Sequence, residues 1–459
     1  MDGTRQLAGP SPDYEYITPI AYSNSSRCGY CGTSGKSFSY YAIASSLSPG
    51  YYQTLLDRSW RRSGKMLYRP DQRRSCCPHY TIRLDSHEFR ANKAQRQTIN
   101  KFNRHVVGDE YQKEVALRYP KSREEAKRRD NEFVLVDRIH EAEYAQLRTP
   151  PEPAHKLVVS LESDEFTEEK YEVYNNYQMT VHNDPPESRT RRSFTRFLCS
   201  SPLRQETVTE PDGKKRRVGS FHQCYRLDGK LVAIGVLDLL PDCVSSVYFL
   251  YDESIHKFAP GKLGALREIG LAQEGGYRWW YPGFYIHSCP KMRYKIDYSP
   301  QYLLDPESLA WDPLDKHVLS LLDKEPFVSL SLHRQRKTEV GVSDDSPQIG
   351  DSAQKSQEGS GGGSGGETND SDDDDDAAFL FNSGMPGIAT LEDLGLVDLD
   401  NIPLVGSLGG PQFRTADLVG WETSTITQWP GIKAGIAELV AALGTDCVDV
   451  LCINLDRSG

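Results

Sequence analysis

Four cysteines carry the spacing that most directly implies chemistry. Cys28-Gly-Tyr-Cys31 sets two thiols on one turn, and Cys76-Cys77 sets two more side by side. Four thiolates suit a tetrahedral zinc ion or an iron–sulfur cluster. The first pair has ordinary knuckle spacing. Adjacent cysteines are less usual ligands because neighbouring side chains diverge, and His79, two residues beyond Cys77, is placed to replace one of them. No charged-then-apolar start and no apolar run of about 18 residues is present. A cytoplasmic or nuclear location without a membrane is therefore expected. Thiols stay reduced there, so paired cysteines point to a metal rather than to disulfides. Cys199, Cys224, Cys243, Cys289, Cys447 and Cys452 are scattered through apolar runs and read as core.

A second concentration of reactive types lies between residues 251 and 295. Tyr251, Asp252 and Glu253 end an apolar run, Arg267 and Glu268 follow a Gly261-Lys-Leu-Gly264 turn, and Tyr281, Tyr285 and His287 precede Pro290-Lys291-Met-Arg293-Tyr-Lys295. Cations at alternate positions suit carboxylate recognition, Arg through two parallel hydrogen bonds. The same alternation also marks the solvated face of a strand. His287 is a candidate base, and backbone N–H groups at Gly261 to Gly264 or a tyrosine hydroxyl are candidate oxyanion donors. Each of these aromatic residues is equally an ordinary strand residue. No Cys–His arrangement supports a covalent intermediate.

Charge is unevenly spread. The chain has 459 residues and a net charge of -11. Residues 51–104 nevertheless hold 13 Lys and Arg against 4 Asp and Glu, a net of +9, whereas residues 337–400 hold 2 against 16, a net of -14. The basic block contains Arg58, Arg61, Arg62, Lys65, Arg69, Arg73 and Arg74 with Trp60 and Tyr68 interleaved, and Lys93 and Arg96 extend it. Backbone-dominated RNA binding with stacking, weakening steeply with salt, has this composition. A solvated protein face has it too.

The elements that must position these residues follow from periodicity. Residues 1–26 read as a flexible lead, 27–105 as a compact Cys-, Tyr- and Arg-rich unit, and 106–154 as a helical connector ended by Pro150, Pro151 and Pro153. Residues 155–335 read as one α/β domain. Its strands are expected at Lys156–Glu162, Leu231–Leu240, Ser245–Tyr251 and Tyr281–His287, and its helices at Glu168–His182 and Gly261–Ala272. Residues 336–377, with a Gly/Ser run and five consecutive Asp, read as a disordered insert, and 378–459 as a segment returning to the second domain.

Longer strings agree with one family. Cys28-Gly-Tyr-Cys31, Asp57-Arg58-Ser59-Trp60-Arg61-Arg62-Ser63-Gly64, Tyr68-Arg-Pro and Cys76-Cys77-Pro78-His79-Tyr80 resemble the N-terminal region of eukaryotic arginyl-tRNA–protein transferases. Phe197-Leu-Cys-Ser-Ser-Pro-Leu203, Gly219-Ser-Phe-His-Gln-Cys-Tyr225, Ala265-Leu-Arg-Glu-Ile269 and Gly283-Phe-Tyr-Ile-His-Ser-Cys-Pro-Lys-Met-Arg-Tyr-Lys295 are similar to later blocks, in the same order. The family usually has Gly where this chain has Ser59, and Ser where it has Gly264.

The resemblance implies a fold of α/β (α+β) class: an N-terminal Cys-rich metal-binding unit, then an acyl-CoA N-acyltransferase (N-acetyltransferase-like) domain with a mixed sheet flanked by helices. It implies arginine transfer from arginyl-tRNA to proteins or peptides beginning with Asp, Glu or oxidised Cys, marking them for ubiquitin-dependent degradation in the N-degron pathway. On that reading Lys291, Arg293, Lys295 and Arg267, with Tyr285, bind the acceptor, and Asp252, Glu253 or Glu268 meets the donor arginine. Tyr251, Asp252, Glu268 and His287 are the catalytic candidates, and the basic block holds tRNA. A non-catalytic tRNA- or metal-binding protein, an N-acetyltransferase of the same fold, and a leucine-transferring enzyme are the competing readings.

Overall fold

The computed structural model describes residues 14–24, 27–33, 37–209, 213, 215–342 and 379–456. Strands β1 (Glu15–Asn24) and β2 (Phe38–Ser46) pair antiparallel. The lead expected to be flexible through residue 26 is thus a strand from Glu15 onward, held by a partner on each side. Helix α1 (Pro49–Leu56) starts where the Ser48 side chain accepts from the Tyr51 N–H and Pro49 occupies the first turn. It leads to β3 (Arg61–Ser63) and β4 (Met66–Pro70), which extend the sheet beyond β2. Between α1 and β3, Ser59 has φ of 65°, a left-handed conformation that Gly adopts without a Cβ clash. That is the physical sense of the Gly expected at this position.

The chain then changes sheet. Strand β5 (Tyr80–Asp85) belongs to the second sheet, although its sequence lies within the expected first unit. Helices α2 (Lys93–Val107), α3 (Asp109–Arg118), α4 (Arg123–Asn131) and α5 (Leu135–His140) follow. Next come β6 (Leu157–Ser163), α6 (Glu168–Tyr177), α7 (Arg191–Phe194) and β7 (Glu206–Thr209), then β8 (Lys215–Leu227), β9 (Lys230–Leu239) and β10 (Cys243–Tyr251). Helix α8 (Pro260–Gly275) crosses to β11 (Trp279–Tyr281), followed by β12 (Phe284–Tyr285), α9 (Pro290–Arg293), β13 (Gln301–Leu304), β14 (Trp311–Pro313), α10 (Lys316–Leu322) and α11 (Leu330–Val342). Residues 336–342, expected as the start of the disordered insert, are the end of α11; the expected insert from 343 onward lies outside the described residues.

The last segment corrects the expected domain layout most strongly. After α12 (Leu391–Leu394), β15 (Pro403–Val405), β16 (Gln412–Arg414), α13 (Ile432–Leu443) and β17 (Leu451–Asn454) complete the chain, and these three strands join the first sheet, not the second. Its order is β16-β15-β17-β1-β2-β4-β3, with β17 parallel to β1. One apolar core packs Tyr22, Trp60 and Leu67 from the front of the chain against Ile402, Leu439 and Ile453 from its end. The second sheet runs β14-β13-β5-β11-β10-β9-β8-β6, with β12 beside β5 and β7 beside β8. It is the mixed sheet flanked by helices that the sequence led us to expect, and α2, α5 and α8 cover one face. No helix among the described residues is long and apolar enough to cross a membrane.

Strand pairing leaves a gap in the second sheet. Strand β10 meets its parallel neighbour β11 only where Cys243–Ser245 face Trp279–Tyr281, while β9 follows β10 to Tyr251. The strands therefore part beyond Ser245 and leave a wedge roofed by α8. The two sheets are also pinned together by a buried ion pair. Arg62 of β3 donates from Nε (2.8 Å) and Nη2 (2.6 Å) to the two oxygens of Asp238 on β9, and Ser220 accepts a further bond at 2.8 Å. Both side chains are almost wholly buried. Removing one partner of such a pair strands a charge in the interior at a cost of roughly 3–5 kcal/mol, whereas apolar replacement of both is far better tolerated. Arg62→Met is expected to lower stability by that amount in denaturant unfolding, and Arg62→Met with Asp238→Leu to recover most of it.

Candidate functional site

The metal motif assembles. The ligand atoms of Cys28, Cys31, Cys76 and Cys77 all lie within 4.8 Å of one another, with Cys31 and Cys76 Sγ 3.3 Å apart. A tetrahedral ion about 2.3 Å from each sulfur holds the sulfurs about 3.8 Å apart, so the four thiols fit a metal centre. The adjacent pair works because Cys76 and Cys77 sit in a bend between β4 and β5, where successive side chains need not alternate across a sheet. Burial holds the Cys77 thiol up at about 11, and hydrogen bonding to Thr33 brings the exposed Cys31 down to about 6. His79 is not in the convergent set. Its ring is buried edge-on to Tyr30 (5.0 Å) and Phe284 (5.4 Å), and burial pushes it down to about 4. Cys289, read from the sequence as core, is core, but of the small cluster formed with Cys28, Cys77 and Ile286 against the metal motif.

Beside the thiols lies a buried polar group. Glu268 on α8 is 2 % exposed; Oε2 accepts from Trp280 Nε1 at 2.9 Å, and burial pushes the carboxyl up to about 7. Lys295 is also buried, donates from Nζ to the Phe284 carbonyl oxygen at 2.7 Å, and is pushed down to about 7 by burial and then by nearby Arg61. Tyr294, with a half-exposed ring, lies on the solvent side, and Glu268 adds to burial in raising its phenol. Glu268 and Lys295 stand where β10 and β11 separate: Gly235 of β9 is so close that a Cβ there would lie 3.6 Å from Glu268 Oε1.

Other candidate positions have different surroundings. Arg267 pairs with Glu143 at 2.6 Å and also donates to the Ile139 carbonyl, so it ties α8 to α5 instead of facing the wedge. The Lys291–Lys295 run is helical, not a strand face, because Pro290 starts α9 and Tyr294–Asp297 continues as a 3₁₀ turn. Lys291 and Arg293 stay outside, Arg293 3.7 Å from Asp323. His287 bridges the Tyr285 hydroxyl (2.6 Å) and Asp323 (2.8 Å) on the opposite side of β12 from Phe284. Asp252 is held by Lys230 at 2.9 Å and caps the turn at Ser254; Tyr251 reaches His256 at 3.1 Å. Glu253 is exposed. The Lys262 and Leu263 N–H groups of the Gly261–Gly264 turn are taken up by the Ala259 carbonyl. Gly264 presses on Phe249, whose ring a Cβ would meet at 2.3 Å, which accounts for Gly where Ser was expected.

Much of the basic block is structural. Trp60 is wholly buried and its Nε1 donates to the Ala442 carbonyl, so it is no stacking platform. Arg58 holds Leu443 and Asp446, and Arg69 holds the carbonyls of Ala442, Pro386 and Gly387. These cations clamp the returning C-terminal segment. Arg74 lies over the Phe38 ring at 4.2 Å. Lys65, Arg73, Lys93 and Arg96 remain at the surface, Arg73 paired with Glu307 and Arg96 beside the Phe133 ring.

The chain is similar to known proteins. Residues 26–97 match the family described as "Arginine-tRNA-protein transferase, N terminus", and residues 169–305 the one described as "Arginine-tRNA-protein transferase, C terminus". "Arginyl-tRNA--protein transferase 1" of Drosophila melanogaster is 30% identical over 412 residues, covering 67% of this chain and 84% of that protein. The protein of the same name from Saccharomyces cerevisiae is 33% identical over 55% of this chain and 48% of its own length. A bacterial "Aspartate/glutamate leucyltransferase" from Stutzerimonas stutzeri is 34% identical over 30% of this chain and 53% of that protein.

Cys76→Ser removes one of four converging ligands and is expected to abolish stoichiometric metal in protein purified anaerobically, measured by elemental analysis. Cys289→Ser is expected to retain it.

Proposed function

Because the chain belongs to the arginyl-tRNA–protein transferase family, we propose that it transfers arginine from arginyl-tRNA to the α-amino group of proteins beginning with Asp, Glu or oxidised Cys, marking them for ubiquitin-dependent degradation. The observation that carries the reading is buried Glu268 where β10 and β11 part, with buried Lys295 close both to it and to Cys289, which packs on Cys28 and Cys77 of the thiol motif. The acidic acceptor is supported by the relatives named for aspartate and glutamate. Cys28, Cys31, Cys76 and Cys77 would hold the metal, zinc or an iron–sulfur centre, and it would anchor the knuckle that carries Tyr30 onto His79.

The reaction is aminolysis of an ester. The acceptor nitrogen bonds to the arginyl carbonyl carbon, the bond to the terminal ribose oxygen breaks, one proton leaves the amine and one reaches the departing hydroxyl. Alignment does most of the work, since well-oriented reactants gain about 7–11 kcal/mol. The acceptor amine has an ordinary pKa near 8, so a neutral fraction exists at physiological pH, and a carboxylate titrating near neutrality is suited to take its proton. Glu268 is that carboxylate. Burial places it at about 7, against the hydrogen bonds from Trp280 and Ser246 that hold the carboxylate. Of the basic block, exposed Lys65, Lys93 and Arg96, with Arg73, are the cations left for the tRNA backbone, which predicts fewer phosphate contacts from that block than its count of basic residues suggests.

The test is transfer of radiolabelled arginine from charged tRNA to peptides starting with Asp, Glu or Ala, with leucyl-tRNA as competitor. Labelling confined to acidic peptides, unaffected by leucyl-tRNA, is expected; no labelling with the metal intact overturns the enzyme reading. In wild type both the amine and Glu268 must lose a proton, so log kcat/KM should fall with a slope approaching two below about pH 7. Glu268→Gln is expected to cut kcat by roughly 10²-fold or more and leave a slope of one.

A further inference from the structure

Strand β3 pairs with β4, β4 with β2 and β2 with β1, and their registers line side chains up across the first sheet. Arg61 stands opposite Tyr68, Tyr68 opposite Tyr41, and Tyr41 opposite Ala21, so these four form one row on one face. Ser63, Met66, Ile43 and, past a bulge in β1, Thr18 form the next row on that face. The opposite face is packed into the first core through Tyr22, Tyr40, Ala42 and Leu67. The two rows are not covered in that way. Among the described residues Met66 is 40 % exposed, and Ala21, Tyr41, Ile43 and Tyr68 are only partly buried. One end of the first row opens on the candidate site. The Phe284 ring lies 6.1 Å from the Tyr68 ring and 5.1 Å from the Arg61 guanidinium carbon, and the Phe284 carbonyl holds Lys295. Tyr30 of the thiol knuckle joins the same aromatic group through His79.

We propose that this face of the first sheet carries the acceptor polypeptide behind its first residue, taking apolar and aromatic side chains of its second to fourth residues on the Tyr68–Tyr41 and Met66–Ile43 rows. The inference rests on the transfer reaction proposed above and adds the surface that selects among acceptors sharing a first residue. An acceptor whose α-amine reaches Glu268 has to continue out of the seam between the sheets, and the Tyr68–Phe284 contact joins seam to face without a break. Three strand spacings of about 4.8 Å separate Arg61 from Ala21, roughly 14 Å in all, which an extended chain covers in about four residues. Of the eight side chains in the two rows, Arg61 is the one that carries a charge. A single RNA strand is held by a run of cations along its phosphates as well as by rings. Apolar side chains laid on a sheet need only the surface that Met66 and Ile43 leave to water. The face therefore suits a polypeptide and not the single-stranded end of the tRNA.

The experiment uses the full chain with its metal, arginyl-tRNA, and two peptides that begin with Asp and differ only in residues two to four, Leu-Tyr-Leu or Gly-Ser-Gly. Wild type is expected to favour the first by roughly tenfold in kcat/KM, mainly through KM, as for one or two apolar side chains partly removed from water. Met66→Ser and Ile43→Thr are each expected to shrink that ratio, and together to bring it within threefold of unity, with KM for arginyl-tRNA within twofold of wild type. Both positions are partly exposed and Thr keeps the β-branch, so the strands retain their propensity. A wild-type ratio below threefold, or a ratio that the double variant leaves intact, overturns the proposal, while transfer to either peptide leaves the enzyme reading standing. No transfer to either peptide overturns both. A rise in KM for arginyl-tRNA with the peptide ratio unchanged overturns the proposal and assigns the face to the donor. If the double variant fails to fold, Met66→Ser decides alone.

Discussion

The buried pair between Arg62 and Asp238 is the contact on which the arrangement of the two sheets turns. It ties β3, at the edge of the first sheet, by charge to β9, in the middle of the second. Such a pair contributes little net stability, because desolvating two ions costs about what their attraction returns. Its value is in register. A strand of three residues has few ladder bonds to hold its orientation. With Arg62 locked, the opposite side chain, Arg61, can point only toward Phe284 and Lys295. Paired and unpaired guanidinium are two consequences of one strand.

The wedge in the second sheet also follows from strand geometry. Parallel strands β10 and β11 share three residue pairs and then separate, because β11 is drawn to β5 and the chain turns at Gly283, where φ is 79°. Where the strands separate, α8 brings Glu268 against Trp280 of β11 and Ser246 of β10. A carboxyl placed there is desolvated by construction, which is why it titrates near neutrality without any negative neighbour. The bond from Trp280 opposes the shift and also fixes the rotamer, so basicity and orientation come from separate contacts.

The two halves of the chain are not separate modules. Strand β5 passes from the Cys-rich unit into the second sheet, and β15 to β17 return past it to complete the first. The metal motif therefore lies at a seam: Cys76 and Cys77 lead directly into β5, and Cys289 and Phe284 approach from the far side. A metal bound by Cys28, Cys31, Cys76 and Cys77 would hold the rim of the candidate site in place, since Tyr30 and His79 ride on those turns.

The sequence alone determined that four cysteines could converge, the strands near Lys156, Leu231 and Ser245 with the helices near Glu168 and Gly261, and the family, because short-range spacing and hydrophobic period carry that information. The Cys-x-x-Cys turn and the long block from Gly283 to Lys295 are legible without any tertiary contact. What it left open was partnership. Arg58, Arg61, Arg62 and Arg69 look alike in a basic run, and only packing shows that three hold acids or carbonyls of the interior while one is left with its fork unmet. Lys295 and Lys291 share a motif, yet helical turns send one inside and leave the other in water. The destination of the C-terminal strands was decided by the apolar face of β1 and α13, far away in sequence. Burial and pairing are set by residues distant in the chain, and no local pattern of types encodes them.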